Sequence, residues 1–382
     1  MAFKVTPWEV KGNIKYDRLI EQFGLSRITD NHIERIERIA GESHYMLRRG
    51  VFIAHRDLDW ILDNYEKGKP FYLYTGRGPS GDIHIGHAMP WIFVKWLQDK
   101  FNAILYFQFT DDEKFLFKEG LDLAKVEEAL YENMLDVAAF GFNPERTVFV
   151  SDIRDIELLY PHALKVSKKI NYSTAKAVFG FKDDTNIGQL FFTSIQSVPS
   201  FLHSEITGTK MPCLIPHAVD QDPHFRVSRD VLPKLGHYKP ASIQCVFLPG
   251  LEGEGKLSSS EGNIIGLHDD EKTIRKKINK YAYSGGRDTV EEHRAKGGRS
   301  EMDISYQYMR MMFEPDDKVL SRIEDDYRTG KLLSGEIKNM LIDRITKYNN
   351  AHKESRKKAE KNIKDYLITE EKIMHLKSIT KK

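Results

Sequence analysis

Apolar positions along this chain repeat with two periods, and the period changes as the chain proceeds. Ile33, Ile36 and Ile39 recur at threes in "NHIERIERIAG", the spacing of one helix face, and Gly41 supplies a stop. "LDWILDNYEKG" has the same helical character and ends at Lys69-Pro70, because proline pushes the residue before it out of the α region. The pattern then switches. "FYLYT" (71–75) is a short unbroken apolar run ending at glycines, which predicts a buried strand. "AMPWIFVKWLQDKF" returns to helical spacing through Trp91, Val94 and Leu97. Its Pro90 suits only a first turn or a kink, so the helix should begin within a few residues of His87. "AILYFQFTDD" (103–112) and "TVFVSD" (147–152) predict two more strands, with helix over 121–140 between them.

Strands alternating with helices predict an α/β fold, a Rossmann-like parallel sheet with right-handed crossovers. Such a sheet places its ligand at the carboxyl ends of the strands. From residue 271 onward no strand pattern occurs, and segments such as "DKVLSRIEDDY" predict an α-helical C-terminal domain. The expected division is an N-terminal extension over 1–69 that packs on a catalytic domain over 70–270, with the helical domain over 271–382.

Composition narrows the class. With 382 residues, 40% hydrophobic and 30% charged, the chain can bury a sizeable core and is too apolar for general disorder. No run of about 18 apolar residues occurs, and the N-terminus has no apolar signal segment, so no membrane partner is expected. Cys213 and Cys245 fit neither a disulfide framework nor a paired zinc site. A cytoplasmic, reducing location follows as the expectation. The net charge of +2 hides a division: residues 271–382 carry 27 Lys+Arg against 19 Asp+Glu, the first 270 residues 31 against 37. The basic third suits a polyanion.

Two motifs carry candidate chemistry. In "GPSGDIHIGH" (78–87), His84 and His87 stand where the first strand turns into a helix. A strand–glycine turn–helix unit aims backbone N–H groups and a positive helix end at whatever lies over the turn, which favours phosphate. The imidazoles can donate to phosphate oxygens as charge builds in a transition state, and Gly86 lets a flat ring lie on the backbone. In "LEGEGKLSSSEGN" (251–263), Lys256 sits amid glycines and serines, a polar loop able to close over a triphosphate with Ser258 and Ser260 beside the lysine. Arg77, in the "TGRG" turn, could reach the same phosphates, and Lys114 after the second strand could add charge. The pairs Asp111-Asp112 and Asp269-Asp270 read as helix caps rather than metal ligands, and no protein metal site is expected.

The two motifs resemble the HIGH and KMSKS signatures of class I aminoacyl-tRNA synthetases. "FTDDEKFLFK", "SIQSVPSF", "CLIPHAVDQDPHFRVSRDV" and "YSGGRDTVEEHRAKGG" resemble the eukaryotic and archaeal tryptophanyl-tRNA synthetases. The KMSKS-type element departs mildly, since this subfamily usually has KMSAS and here Leu257 and Ser259 replace Met and Ala. The resemblance implies activation of L-tryptophan by ATP with Mg2+, transfer to tRNA(Trp), a homodimer with its connective region inserted within 70–270, and no tightly bound organic cofactor. It implies Thr75, Gly76, Arg77, Gly86, His87, Lys114, Lys256, Leu257, Ser258 and Ser260 for ATP, with His84, His87, Lys256 and Arg77 catalytic. Tyr74, Gln108, Glu113, Gln196, Gln221 and Phe225 would hold tryptophan, Tyr74 and Gln108 accepting from the indole N–H. Arg287 and Asp288 would touch the tRNA, and 271–382 would read the anticodon. A tyrosyl-tRNA synthetase shares the fold and both motifs and stays the rival; a small-molecule adenylyltransferase is a more distant one.

Overall fold

The computed structural model describes residues 4–5, 10–11, 15–253 and 263–380. Two short strands open it: β1 (Lys4–Val5) lies antiparallel to β2 (Val10–Lys11). The main sheet has seven strands: β3 (Ser26–Arg27), β4 (Phe52–Arg56), β5 (Tyr72–Arg77), β6 (Ile104–Phe109), β7 (Thr147–Ser151), β8 (Cys213–Ala218) and β9 (Ala241–Cys245), in the order β3-β4-β9-β8-β5-β6-β7. The five from β9 to β7 run parallel, and β4 and β3 close one edge antiparallel.

Alternation along each strand builds two cores. On β6, Leu105, Phe107 and Phe109 face one core with Leu73, while Ile104 and Tyr106 face the other with Tyr72 and Tyr74. The polar Gln108 falls in the phase of Ile104 and Tyr106, and it is fully buried. The first core continues into the helix Ile85–Phe101, where Trp91 and Phe93 are buried, and into the helices after 271.

The segment before residue 70 does more than pack on the sheet, because β3 and β4 are strands of it. Arg56 at the end of β4 makes two 2.9 Å bonds to the buried Asp222 carboxylate at the start of helix Asp222–Val231. The C-terminal helix Glu370–Thr380 also returns to the sheet, with Leu376 in the second core. The helix Ile85–Phe101 begins two residues before His87, as Pro90 implied, and Pro90 lies in its second turn. The hydrogen bond it forgoes is the one to the Gly86 carbonyl, at the helix end that borders the cavity described next.

Candidate active site

The chain leaves β5 for β6 and β7 on one side, then returns to β8 and β9 on the other, so the strand order reverses between β5 and β8. Pairing of β5 with β6 holds from Tyr72 through Arg77, but pairing with β8 stops at Leu73–Leu214. Beyond Leu73 the two strands part. The crevice they leave at their carboxyl ends is a cavity of about 660 Å³, the place where doubly wound sheets bind ligands.

Of the expected site residues, Tyr74, Thr75, Gly76, Arg77, His84, Gly86, His87, Glu113, Lys114, Gln196, Gln221 and Phe225 line this one cavity. Lys256, Leu257, Ser258 and Ser260 lie outside the described residues. Arg287 and Asp288 are away from the cavity; the Arg287 Nε donates to the Gly297 carbonyl at 2.9 Å, and Asp288 is exposed. Gln108 does not reach the cavity surface. It lies beneath Tyr74, whose hydroxyl donates to its Oε1.

At the phosphate-favouring end, His84 is the N-cap of the helix Ile85–Phe101. The two imidazoles lie against each other, tilted by 33°, with centroids 3.6 Å apart. The His84 backbone N–H points to His87 Nδ1 at 3.4 Å, which fixes the orientation of the His87 ring at the start of the helix. The stretch after 262 is bound to the same corner. His84 bridges Gly266, the Ile85 N–H donates to Ile265 O at 3.1 Å and the Leu267 N–H to Ile83 O at 2.9 Å. Asn263 donates to Glu252 at 3.2 Å, joining the two ends of the 254–262 segment.

Arg77 is engaged by protein. Its Nε donates to Asn133, and its Nη2 to the carbonyls of Gly81 and Asp82 at 3.0 and 3.3 Å. Burial pushes this guanidinium down to about 10, an environment that Asp136 and Asp82 partly offset. Arg77 therefore braces the turn that leads to His84.

At the other end the side chains form an aromatic slot with a polar floor. The rings of Tyr74 and Phe225 meet edge to face at 5.7 Å. The Gln196 side-chain amide donates to the Tyr74 hydroxyl at 3.0 Å. Glu113 accepts from Thr110 at 2.8 Å and pairs with Lys114 at 3.3 Å. Burial opposes its ionisation, but Lys114 and Thr110 win and hold it below the usual carboxylate range. An ionised carboxylate at this depth suits a substrate ammonium.

Asp111 and Asp112 do more than cap. Asp111 accepts from Ser151 Oγ at 2.6 Å and from the Ile153 N–H at 3.1 Å. Asp111, Asp112 and Asp152 bring oxygens within 4.8 Å of one another. Burial and the neighbouring carboxylates push Asp112 up to about 7 and Asp152 well above its usual range. Asp270 is a true cap, accepting from the Thr273 N–H at 2.8 Å.

His217, Asp220 and His224 also line the cavity, and sequence reasoning passed over them. Gln221, His224 and Phe225 stand at i, i+3 and i+4 around the start of helix Asp222–Val231, one face of it. That spacing was the available signal. Burial pushes His224 down to about 4, so it is neutral beside Glu113.

The stretch 66–349 matches the family described as "tRNA synthetases class I (W and Y)", and the chain belongs to it. Among curated relatives, the tryptophan–tRNA ligase of Sulfurisphaera tokodaii is 48% identical over 94% of this chain and 93% of its own length. That of Pyrococcus furiosus is 47% identical over 96% and 94%. The crystal structure of Plasmodium falciparum tryptophanyl-tRNA synthetase superposes with a TM-score of 0.86 at 42% identity, covering 96% of this chain and 98% of that one. The Encephalitozoon cuniculi tryptophanyl-tRNA synthetase, solved bound to tryptophan, gives 0.87 at 38% identity over 95% and 99%.

Proposed function

We infer that the chain is a tryptophan–tRNA ligase, activating L-tryptophan with ATP and passing it to the 3′ end of tRNA(Trp). The observation that carries this is the single cavity at the strand-order reversal, with paired imidazoles at one end and the Tyr74–Phe225 slot at the other. The tyrosine rival has no support among the relatives named above, all of which act on tryptophan.

In our reading the indole enters the slot, where Tyr74 meets the ring N–H with Gln108 behind it. Glu113 faces the α-ammonium, and Gln196 and Gln221 hold the amino-acid end. The substrate carboxylate then attacks the α-phosphorus, the bond to the β-phosphate oxygen breaks, and pyrophosphate leaves. A carboxylate nucleophile needs no general base, so the work is positioning and charge stabilisation. His84 and His87 donate to the phosphates. Lys256, with the Ser258 and Ser260 hydroxyls and Leu257 beside it, supplies charge to the triphosphate. Thr75, Gly76 and Gly86 give the nucleotide backbone contact, and Lys114 adds charge near the α-phosphate. Mg2+ arrives with the ATP phosphates.

The chain divides in this reading into 1–69, the catalytic 70–270 and a tRNA-binding 271–382, whose basic surplus supplies phosphate affinity. Arg287, braced on Gly297, and the exposed Asp288 are the proposed tRNA contacts. A homodimer finds support in an apolar stripe. Ile153, Ile156, Tyr160 and Leu164 are exposed at near-helical spacing on and before helix Ile156–Ser167, and Tyr172 and Ile187 are exposed as well. No helix of the described residues is long and apolar enough to cross a membrane.

The test is pyrophosphate exchange into ATP with each of the twenty amino acids, followed by charging of tRNA(Trp). Exchange with tryptophan alone is expected. Exchange with tyrosine in its place would replace this reading with its rival.

A further inference from the structure

Tyr74 presents one oxygen to the slot, and hydrogen-bond bookkeeping decides whether that oxygen gives or takes a proton. A phenol has one O–H and two lone pairs. Gln196 Nε2 donates to Tyr74 Oη at 3.0 Å and uses one lone pair. The phenol proton has two possible acceptors, Gln108 Oε1 and the Gln196 carbonyl at 3.0 Å. With either choice one lone pair is left for a substrate donor. This count holds only while Gln108 turns its oxygen towards Tyr74. With the Gln108 amide flipped, its N–H would take the second lone pair, and Tyr74 could no longer accept from a ring N–H.

What prevents the flip lies one layer deeper. Gln108 Nε2 donates to Asp152 Oδ1 at 2.7 Å. Gln108 and Asp152 are fully buried, so water offers no alternative partner. Asp152 follows the last residue of β7, and its own N–H is fixed on the Phe109 carbonyl at 3.1 Å.

We propose that Asp152 is a positioning residue for substrate specificity: by accepting from Gln108 it locks that amide and so keeps Tyr74 an acceptor towards the ring N–H of the substrate. The claim deepens the tryptophan–tRNA ligase reading and rests on it. Burial and the neighbouring carboxyls push both Asp112 and Asp152 up; the 2.7 Å contact from Gln108 Nε2 makes Asp152 Oδ1 the acceptor that faces Gln108.

The experiment compares tryptophan with an analogue whose ring N–H is replaced by sulfur, in pyrophosphate exchange by the full chain. Asp152→Asn offers Gln108 a donor as well as an acceptor and permits the flip. It should lower kcat/KM for tryptophan by about tenfold or more while changing that for the sulfur analogue by less than about threefold. Asp112→Asn keeps the Asp152 acceptor and should keep the unaltered chain's discrimination. Equal losses on both substrates in Asp152→Asn, or discrimination lost in Asp112→Asn, would overturn the proposal. A measurement on the unaltered chain is independent of how the variants fold: the Gln108 side-chain amide protons should exchange slowly with water, with and without tryptophan. Fast exchange would overturn it too. Absence of any exchange activity with tryptophan would instead remove the parent reading, and this inference with it.

Discussion

Gly266 faces His84 as an antiparallel bridge partner, and the same glycine's carbonyl accepts from the side-chain amide of Asn349 at 2.9 Å. Asn349 also donates to the Asp269 carbonyl at 3.1 Å. A fully buried residue of the long helix Ser334–Asn362 thus steadies the strand-like stretch that pairs with His84. Asn349→Ala would orphan two carbonyls at about 1–3 kcal/mol. We expect a lower melting temperature and slower adenylate formation, with tryptophan affinity nearly unchanged. Loss of tryptophan affinity at full activation rate would show that the contact serves the slot instead.

The imidazoles themselves make a sharper test. His87→Ala or Lys256→Ala should each slow adenylate formation by about 10²–10³ while leaving tryptophan binding in place. Single-turnover kinetics beside equilibrium tryptophan binding separates the two. Parallel loss of binding would put these residues at the amino-acid end.

Much of this site could be read from the sequence, and the limits have physical causes. The strand at 71–75, the turn and the histidines were legible because a buried apolar run, glycines and a helix start are all local signals. Strands β4, β8 and β9 went unread. "FIAHR" and "CLIPHA" interrupt their apolar runs with groups that are polar for long-range reasons: Arg56 reaches Asp222, and His217 lines the cavity. Nothing local encodes a partner so far away in sequence. Arg77 shows the same limit in reverse. Its place beside the phosphate turn suggested a ligand contact, and the residue does line the cavity, but the bond from its Nε to Asn133 on a distant helix had no local signal. Asp152 carried no signal at all, because its importance comes only through Gln108.

Gly76 is the position where the sheet tolerates no side chain. A Cβ there would stand 2.6 Å from the Gln108 carbonyl oxygen and 3.2 Å from its Cβ. Gly76 and Gln108 are register partners, so neither strand can yield without shifting the other. Gly76→Ala should cost about 1–3 kcal/mol in unfolding free energy and raise the KM for tryptophan through the displaced Gln108. Unchanged stability in urea unfolding would refute the close approach.

The apolar stripe yields a prediction about assembly. Tyr160→Arg or Ile156→Glu places charge in the middle of it and should shift the chain from dimer to monomer in sedimentation. Each residue is exposed within the single chain, so melting of the isolated subunit should change by about 0.5 kcal/mol or less. A chain that sediments as a monomer before any substitution would remove the dimer proposal.

Buried Asp136, on helix Leu123–Ala138, accepts from His268 at 3.0 Å, from His352 at 3.3 Å and from Arg356 at 3.0 Å. His268 lies just after the Gly266 bridge, and His352 and Arg356 belong to the long helix Ser334–Asn362. The hydrogen bond to Asp136 raises His268 above its ordinary value despite partial burial. Burial opposes ionisation of Asp136, but the two histidines outweigh it and hold the carboxyl well below its usual range. The two signs predict opposite limbs. For His268, raised in the folded chain, the stabilisation is complete below about pH 6.5 and fades as pH climbs through its elevated folded value. For Asp136 the contribution is present above about pH 4 and is lost only on strong acidification. Because the His268 side chain is 36% exposed, solvent screening keeps its share to about 1 kcal/mol or less. Melting temperatures measured from pH 6 to 8.5 should therefore fall further in the unaltered chain than in His268→Gln, which keeps a donor but cannot titrate. Identical slopes in the two chains would show that folding stability is insensitive to this proton.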